Sequence, residues 1–190
     1  MGRPRDKWRV MVLEIATGRG FEAAPGDGDQ GVPTWVDDYH LIFGDWPTGN
    51  PQQIMRLHVL DLRERKTSLL AGSEKLWTAR CSPDGRLLAA LSQDSKTLFI
   101  SEYGSPDWRQ VLSGNSLDDL AWAADAKSLF LMRDRELVRV GASASHFEKI
   151  ATLRDFSFAR EQWFGLAPDG TPLALRAARG QEIYSIQWRP

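Results

Sequence analysis

Ser82-Pro83-Asp84-Gly85-Arg86-Leu87-Leu88-Ala89-Ala90-Leu91 is the stretch that decides the fold, because a tight turn leads straight into an unbroken apolar run. Pro83 pre-sets φ for the first turn position, Gly85 can take a positive φ, and Asp84 can accept backbone N–H groups between them. The run LLAAL lacks the alternation of a half-exposed strand. It reads as a strand covered on both faces.

Working outward, the same pattern occurs four times. Trp35-Val36-Asp37-Asp38 precedes YHLIFG, Cys81-Ser82-Pro83-Asp84-Gly85 precedes RLLAAL, Trp122-Ala123-Ala124-Asp125 precedes AKSLFL, and Leu166-Ala167-Pro168-Asp169-Gly170 precedes TPLALR. The turn aspartates Asp38, Asp84, Asp125 and Asp169 are 46, 41 and 44 residues apart. One four-stranded propeller blade takes roughly 40–45 residues. Each turn run is followed by a third strand, at 57–62, 97–101, 136–140 and 183–187. A more polar fourth strand follows in three cases, at 66–70, 108–112 and 147–151. Before the first full repeat, 8–15 reads as a third strand and 21–24 as a fourth. No segment shows a helical period.

The expected fold is therefore all-β, a β-propeller of four-stranded antiparallel blades. Its parts are a half blade at 8–24, blades at 32–70, 76–112 and 117–151, and an incomplete last blade at 161–190. These four to four and a half blades are expected to belong to a propeller of six to eight. An open ring leaves strand edges and apolar faces exposed, so self-association through them is also expected.

The stretches WVDDYHLIFG, SPDGRLLAAL and APDGTPLALR resemble the WD-repeat-like β-propeller repeat of TolB-type proteins. The stretches at 70–100 and 153–190 are most similar to the C-terminal propellers of bacterial regulators that carry a winged-helix or serine/threonine-kinase domain. The resemblance runs from about Trp8 to Pro190. It departs at Cys81, where the family has Trp, and at Asp38-Tyr39 and Asp125-Ala126, which lack the turn glycine. It implies a binding or sensing module at the end of a larger signalling or transcription-regulating protein. A stand-alone scaffold propeller and the accessory propeller of a serine hydrolase are the alternatives. The family supplies no shared catalytic residue or ligand to carry over.

The chain has 190 residues, 42% of them hydrophobic and 26% charged, enough for a packed core. A net charge of −1 with both signs interspersed argues against nucleic acid as the partner of this segment. No apolar run approaches the roughly 20 residues of a membrane helix. The location expected is cytoplasmic if the chain is complete as written, and periplasmic if it ends a membrane-anchored regulator.

Catalytic motifs are missing. The strings GNSLD at 114–118 and GASAS at 141–145 lack the second glycine of a nucleophile elbow. The histidines are His40, His58 and His146, read as turn, strand and loop residues. Cys81 is the lone cysteine, and no zinc-ligand or phosphate-loop spacing occurs. Asp27 with Asp29, and Asp37 with Asp38, read as a solvated loop and a blade turn. No catalytic residue, cofactor or metal is expected. Trp35 and Trp122, just before their turns, are expected to pack between blades. Trp77, Arg80, Asp118, Asp119 and Trp163 lie on or near innermost strands and are the candidate partner contacts at the channel or its rim. Their bland role is core packing. The partner itself, protein or small molecule, is not specified by these residues.

Overall fold

A computed structural model describes residues 7–24, 26, 28–143, 146–154 and 164–174. The expected third strand at 183–187 and Trp163 lie outside these residues. The chain forms a series of antiparallel meanders. The first has two strands, β1 (Met11–Glu14) and β2 (Arg19–Glu22). Three four-stranded sheets follow. They hold β3 (Thr34–Trp35), β4 (His40–Gly44), β5 (Leu57–Asp61) and β6 (Lys66–Leu69); then β7 (Leu76–Cys81), β8 (Leu87–Ser92), β9 (Thr97–Glu102) and β10 (Arg109–Ser113); then β11 (Leu117–Trp122), β12 (Ser128–Arg133), β13 (Glu136–Gly141) and β14 (Phe147–Thr152). A two-stranded sheet of β15 (Phe164–Leu166) and β16 (Pro172–Ala174) ends the described chain. In every sheet strands adjacent in sequence are paired, as propeller-like blades require.

The core is a set of layers between successive sheets. Val10, Ala23 and Ala24 pack with Leu41, Phe43 and Leu60 between the first two sheets. Ile42 and Leu57 pack with Leu76, Ala79, Leu88 and Ala90 between the next two. The largest layer joins Ala89, Leu91, Leu98 and Ile100 to Leu117, Trp122, Leu129 and Leu131. Phe130, Met132 and Leu137 pack with Phe164 in the last. The second strand of each blade is thus divided between two layers by its period of two. Leu88 and Ala90 face one sheet, Ala89 and Leu91 the other, and all four are buried. Burial on both faces is the physical reason for a run as apolar as LLAAL.

The turns show why aspartate recurs. Asp84 Oδ1 accepts the Ser82 hydroxyl at 2.6 Å and the Arg86 N–H at 3.2 Å. Asp125 Oδ1 accepts the Lys127 N–H and Asp169 Oδ1 the Thr171 N–H, both at 2.9 Å. Gly85 and Gly170 take φ of 73° and 84°, and Ala126 is held at 57° where those repeats have glycine. The first repeat departs from its sequence reading. Asp37, not Asp38, accepts the N–H groups of Tyr39 and His40, each at 2.8 Å. The closing bond there runs from Val36 N–H to His40 O, four residues on, whereas Ser82 bonds Leu87 O and Ala123 bonds Ser128 O, five residues on. The fourth repeat also closes four residues on, from Ala167 N–H to Thr171 O, with Asp169 keeping the carboxylate role.

Candidate functional site on the innermost strands

β3, β7, β11 and β15 open their sheets, and neighbouring members are tied directly. The Trp122 Nε1–H donates to the Arg80 carbonyl at 2.9 Å, and the Cys81 N–H donates to Thr34 Oγ1 at 3.1 Å. Trp122 is buried between blades as expected. Trp35, at the equivalent place in its repeat, is 51% exposed, contrary to the expectation of interblade packing. Among the described residues no innermost strand precedes β3 to pack on its indole as β7 does on Trp122.

Four of the five candidate contacts lie on β7 and β11, and all four are half-buried. Both strands carry a β-bulge near their start. On β7, Leu76 pairs with Ser92 and Thr78 with Leu91, which leaves Trp77 outside the ladder. On β11, Asp118 pairs with Met132 and Leu120 with Leu131, which leaves out Asp119, held at φ 43°. Bulges bend a strand and re-aim its side chains. Trp77 rests against the layer between the second and third four-stranded sheets. Its Nε1 is buried without a hydrogen-bond partner.

The electrostatics of this cluster are those of charges partly withdrawn from water. Burial holds the Arg80 guanidinium below its usual range, opposed by the charge of Asp119. Burial pushes the Asp118 carboxyl up, opposed by the Asp119 N–H that it accepts at 3.0 Å. Arg80 Nη1 also donates to the Ala79 carbonyl at 2.9 Å. The result is an aromatic ring, an arginine and two carboxylates across two adjacent innermost strands.

Two grooves between sheets were missed by the sequence reading. One, of about 700 Å3, is lined by Gln52, Glu74, Lys75, Gln93, Phe99 and Trp108. Gln93 fixes its wall by donating to the Gln53 carbonyl at 2.7 Å and accepting the Met55 N–H at 3.0 Å, across the sheet boundary. The other, of about 880 Å3, lies between the turns of Asp84 and Asp125, beside Tyr103. A glutamine carries no motif, so only its cross-sheet position reveals Gln93.

Two of the three histidines, His40 and His58, are engaged by carboxylates. His40 Nδ1 lies 2.8 Å from Asp37 Oδ2, and His58 Nε2 lies 2.8 Å from Asp45 Oδ1. Burial pushes the Asp45 carboxyl up, but the His58 ring and the Arg56 N–H outweigh it and leave it below the ordinary range. Burial pushes the Cys81 thiol up to about 11, aided by the charges of Asp84 and Asp37. Among the described residues no group of three or more His, Cys, Asp or Glu is placed to hold a metal ion. No helix among them is long and apolar enough to cross a membrane.

The sequence matches no family model and no curated protein. Solved structures do match. TolB from Acinetobacter baumannii superposes on 85% of this chain with a TM-score of 0.67 and 15% identity, over 41% of its own length. A chain of a nidogen/laminin complex matches 84% of this chain with a TM-score of 0.65 and 10% identity, over 61% of its length. The β-propeller domain of the Trilobed protease from Pyrococcus furiosus matches 78% with a TM-score of 0.56 and 12% identity, over 57% of its length. The chain thus spans between 41% and 61% of these structures. At such identities the likeness shows a propeller fold, shared by proteins with different roles.

Proposed function

We propose that this chain is an arc of a β-propeller of six to eight blades, and that it binds or senses a partner without catalysing a reaction. The observation that carries this reading is the cluster on β7 and β11. Trp77 and Arg80 beside Asp118 and Asp119 offer one apolar anchor and both charge signs. Aromatic and arginine side chains are the usual hot spots of binding surfaces. His40 and His58 turn to structural carboxylates and the one thiol is held in its protonated form, which supports the non-catalytic part of the reading. Fold alone does not choose a role. The resemblance at 70–100 and 153–190 supports a place at the C-terminal end of a larger bacterial signalling or transcription-regulating protein.

Thermal-shift screening of peptide and small-molecule collections tests the binding role. Hits should raise the melting temperature of the wild type and lose that effect in Arg80→Ala. Turnover of ester, amide or glycoside substrates by the pure chain would sink the non-catalytic reading. For the wider role, the genomic frame upstream of Met1 should lead into a winged-helix or kinase domain, and an in-frame stop just before Met1 would refute it.

A further inference from the structure

The groove of about 700 Å3 between the sheets β3–β6 and β7–β10 is walled by two connections and a hairpin, each fixed by its own hydrogen bonds. Gln53 orders the long β4–β5 connection. It accepts the Thr48 N–H at 2.9 Å and hydroxyl at 2.8 Å, and donates to the Trp46 carbonyl at 3.1 Å. Between β6 and β7, the Lys75 N–H donates to the Met55 carbonyl at 2.8 Å, and the Lys75 carbonyl accepts the Gln93 N–H at 2.6 Å. Lys75 is thereby strapped to the β4–β5 connection on one side and to the β8–β9 hairpin on the other. Gly72, at φ 69°, lies so close to the Pro106 carbonyl that a Cβ would have no room, which holds this segment against the chain leading to Trp108.

The walls and the rim differ in kind. Phe99 and Trp108 pack on the apolar layer of Leu57, Leu70, Leu76 and Leu88 and also line the groove. Ile54, half exposed, lines it too. Glu74 and Lys75 are exposed, and among the described residues neither side chain has a hydrogen-bond or ion-pair partner. Asp94, the other charged residue of the lining, already accepts the Ser92 hydroxyl at 2.6 Å and the Lys96 N–H at 3.2 Å. Lys75 sits at φ 65°, a backbone conformation that favours glycine. Residues held in such a conformation cluster at binding sites.

We propose that this groove binds a zwitterionic ligand with an apolar side chain, the chemistry of an apolar α-amino acid or of a dipeptide of such residues. The ligand carboxylate pairs with Lys75 and its ammonium with Glu74. Its side chain lies between Ile54 and the rings of Phe99 and Trp108. The charge pattern selects the class. One unengaged cation beside one unengaged anion is complementary to a molecule that carries both signs close together, and neither a simple anion nor a simple cation satisfies both. The volume falls within the range of small-molecule sites. Pre-formed walls lower the cost of binding. The groove lies on the other side of β7 from Trp77, which rests against the following layer, so this site goes beyond the function proposed above.

Isothermal titration of the full chain with L-phenylalanine and with leucyl-leucine tests it. Saturable binding of at least one is expected, and the two arms tell a free amino acid from a peptide. Phenylalaninamide lacks the carboxylate and N-acetylphenylalanine lacks the ammonium. Each leaves one charge of the rim unpaired and should bind about tenfold more weakly or worse. Lys75→Gly should weaken phenylalanine by a similar factor and end the discrimination against phenylalaninamide. It should melt no lower than the wild type, because glycine relieves the backbone. Ile54→Ser should weaken binding with an unchanged circular dichroism spectrum. No saturable binding of either ligand, equal affinity for phenylalanine and its two blocked forms, or full affinity in Lys75→Gly would each overturn the inference. A ligand lost in Arg80→Ala but kept in Lys75→Gly would also overturn it, and would support the proposed function on the innermost strands instead.

Discussion

Replacing Gly44 with alanine should be among the most damaging small changes in this chain. Gly44 ends β4 where the sheet β3–β6 meets β7, and a Cβ there would lie 1.9 Å from the Trp77 carbonyl oxygen and 2.8 Å from its carbon. Both obstacles are backbone, so no rotamer change relieves them. The oxygen must retreat to an ordinary contact of about 3.4 Å, which pries β7 from the layer holding Ile42, Leu57, Leu76 and Ala79. Gly44 has no positive φ, so the cost is steric and not conformational. Overpacking costs about 1–3 kcal/mol where side chains can adjust. With backbone on both sides the upper end, about 3 kcal/mol, applies, and for a chain of this size that lowers the melting temperature by roughly 6–12 °C. Gly20→Ala is the control. Its Cβ meets nothing nearer than the Val12 carbonyl at 3.9 Å, so it should be neutral or stabilise by up to about 1 kcal/mol. Urea unfolding followed by tryptophan fluorescence measures both. A Gly44→Ala midpoint within about 0.5 kcal/mol of wild type, a change usual for surface substitutions, would refute the close approach of the two sheets.

Ala126→Gly should stabilise the chain by about 1 kcal/mol in the same assay, because Ala126 sits at φ 57° where its counterparts are glycine. Trp122→Phe keeps the ring but loses the bond to the Arg80 carbonyl, and should cost about 1 kcal/mol or more. Asp118 and Asp84 should respond to pH in opposite senses. The Asp118 pKa is raised by folding, so its ionisation opposes the fold above that pKa; Asp118→Asn should raise the melting temperature at pH 7 and remove a loss of stability seen as pH rises from about 4. The Asp84 carboxyl is held down by the Ser82 hydroxyl and the Arg86 N–H, so its contribution is full above about pH 4 and disappears as pH falls through the lower folded value; Asp84→Asn should flatten the acid limb of the melting curve. Cys81 should react with a disulfide reagent at pH 8 much more slowly in the native chain than in urea, and equal rates would contradict its burial-raised pKa.

What the sequence discloses here is what a strand owes to its own side chains. The second strands are legible because each must satisfy two layers at once, so both parities of LLAAL and of LFLM at 129–132 are apolar. The turn carboxylates are legible because a proline, an aspartate and a glycine each answer a local demand. Asp38 stands in the turn, but the bonds go to Asp37, because spacing counted from Trp35 does not tell two adjacent aspartates apart.

The candidate contacts could be named from the sequence but not their geometry, because the geometry is set between strands. A bulge belongs to a pair of strands, so nothing in LWTARC alone says that Trp77 leaves the ladder while Thr78 stays in it. Asp119 gives a partial signal, since aspartate tolerates the left-handed backbone that its bulge requires better than most residues do. Trp35 and Trp122 make the point most sharply. They occupy equivalent positions before equivalent turns, yet one is half exposed and the other donates a hydrogen bond from a buried indole. Among the described residues Trp122 has an innermost strand, β7, in front of it and Trp35 has none. Gly44 is the same case seen from the backbone: what forbids a side chain there is the carbonyl of a residue 33 positions later, on another sheet. In a repeat fold the local code is written in every unit, while the contacts that create a site fall between units, where a single repeat carries no record of its neighbour.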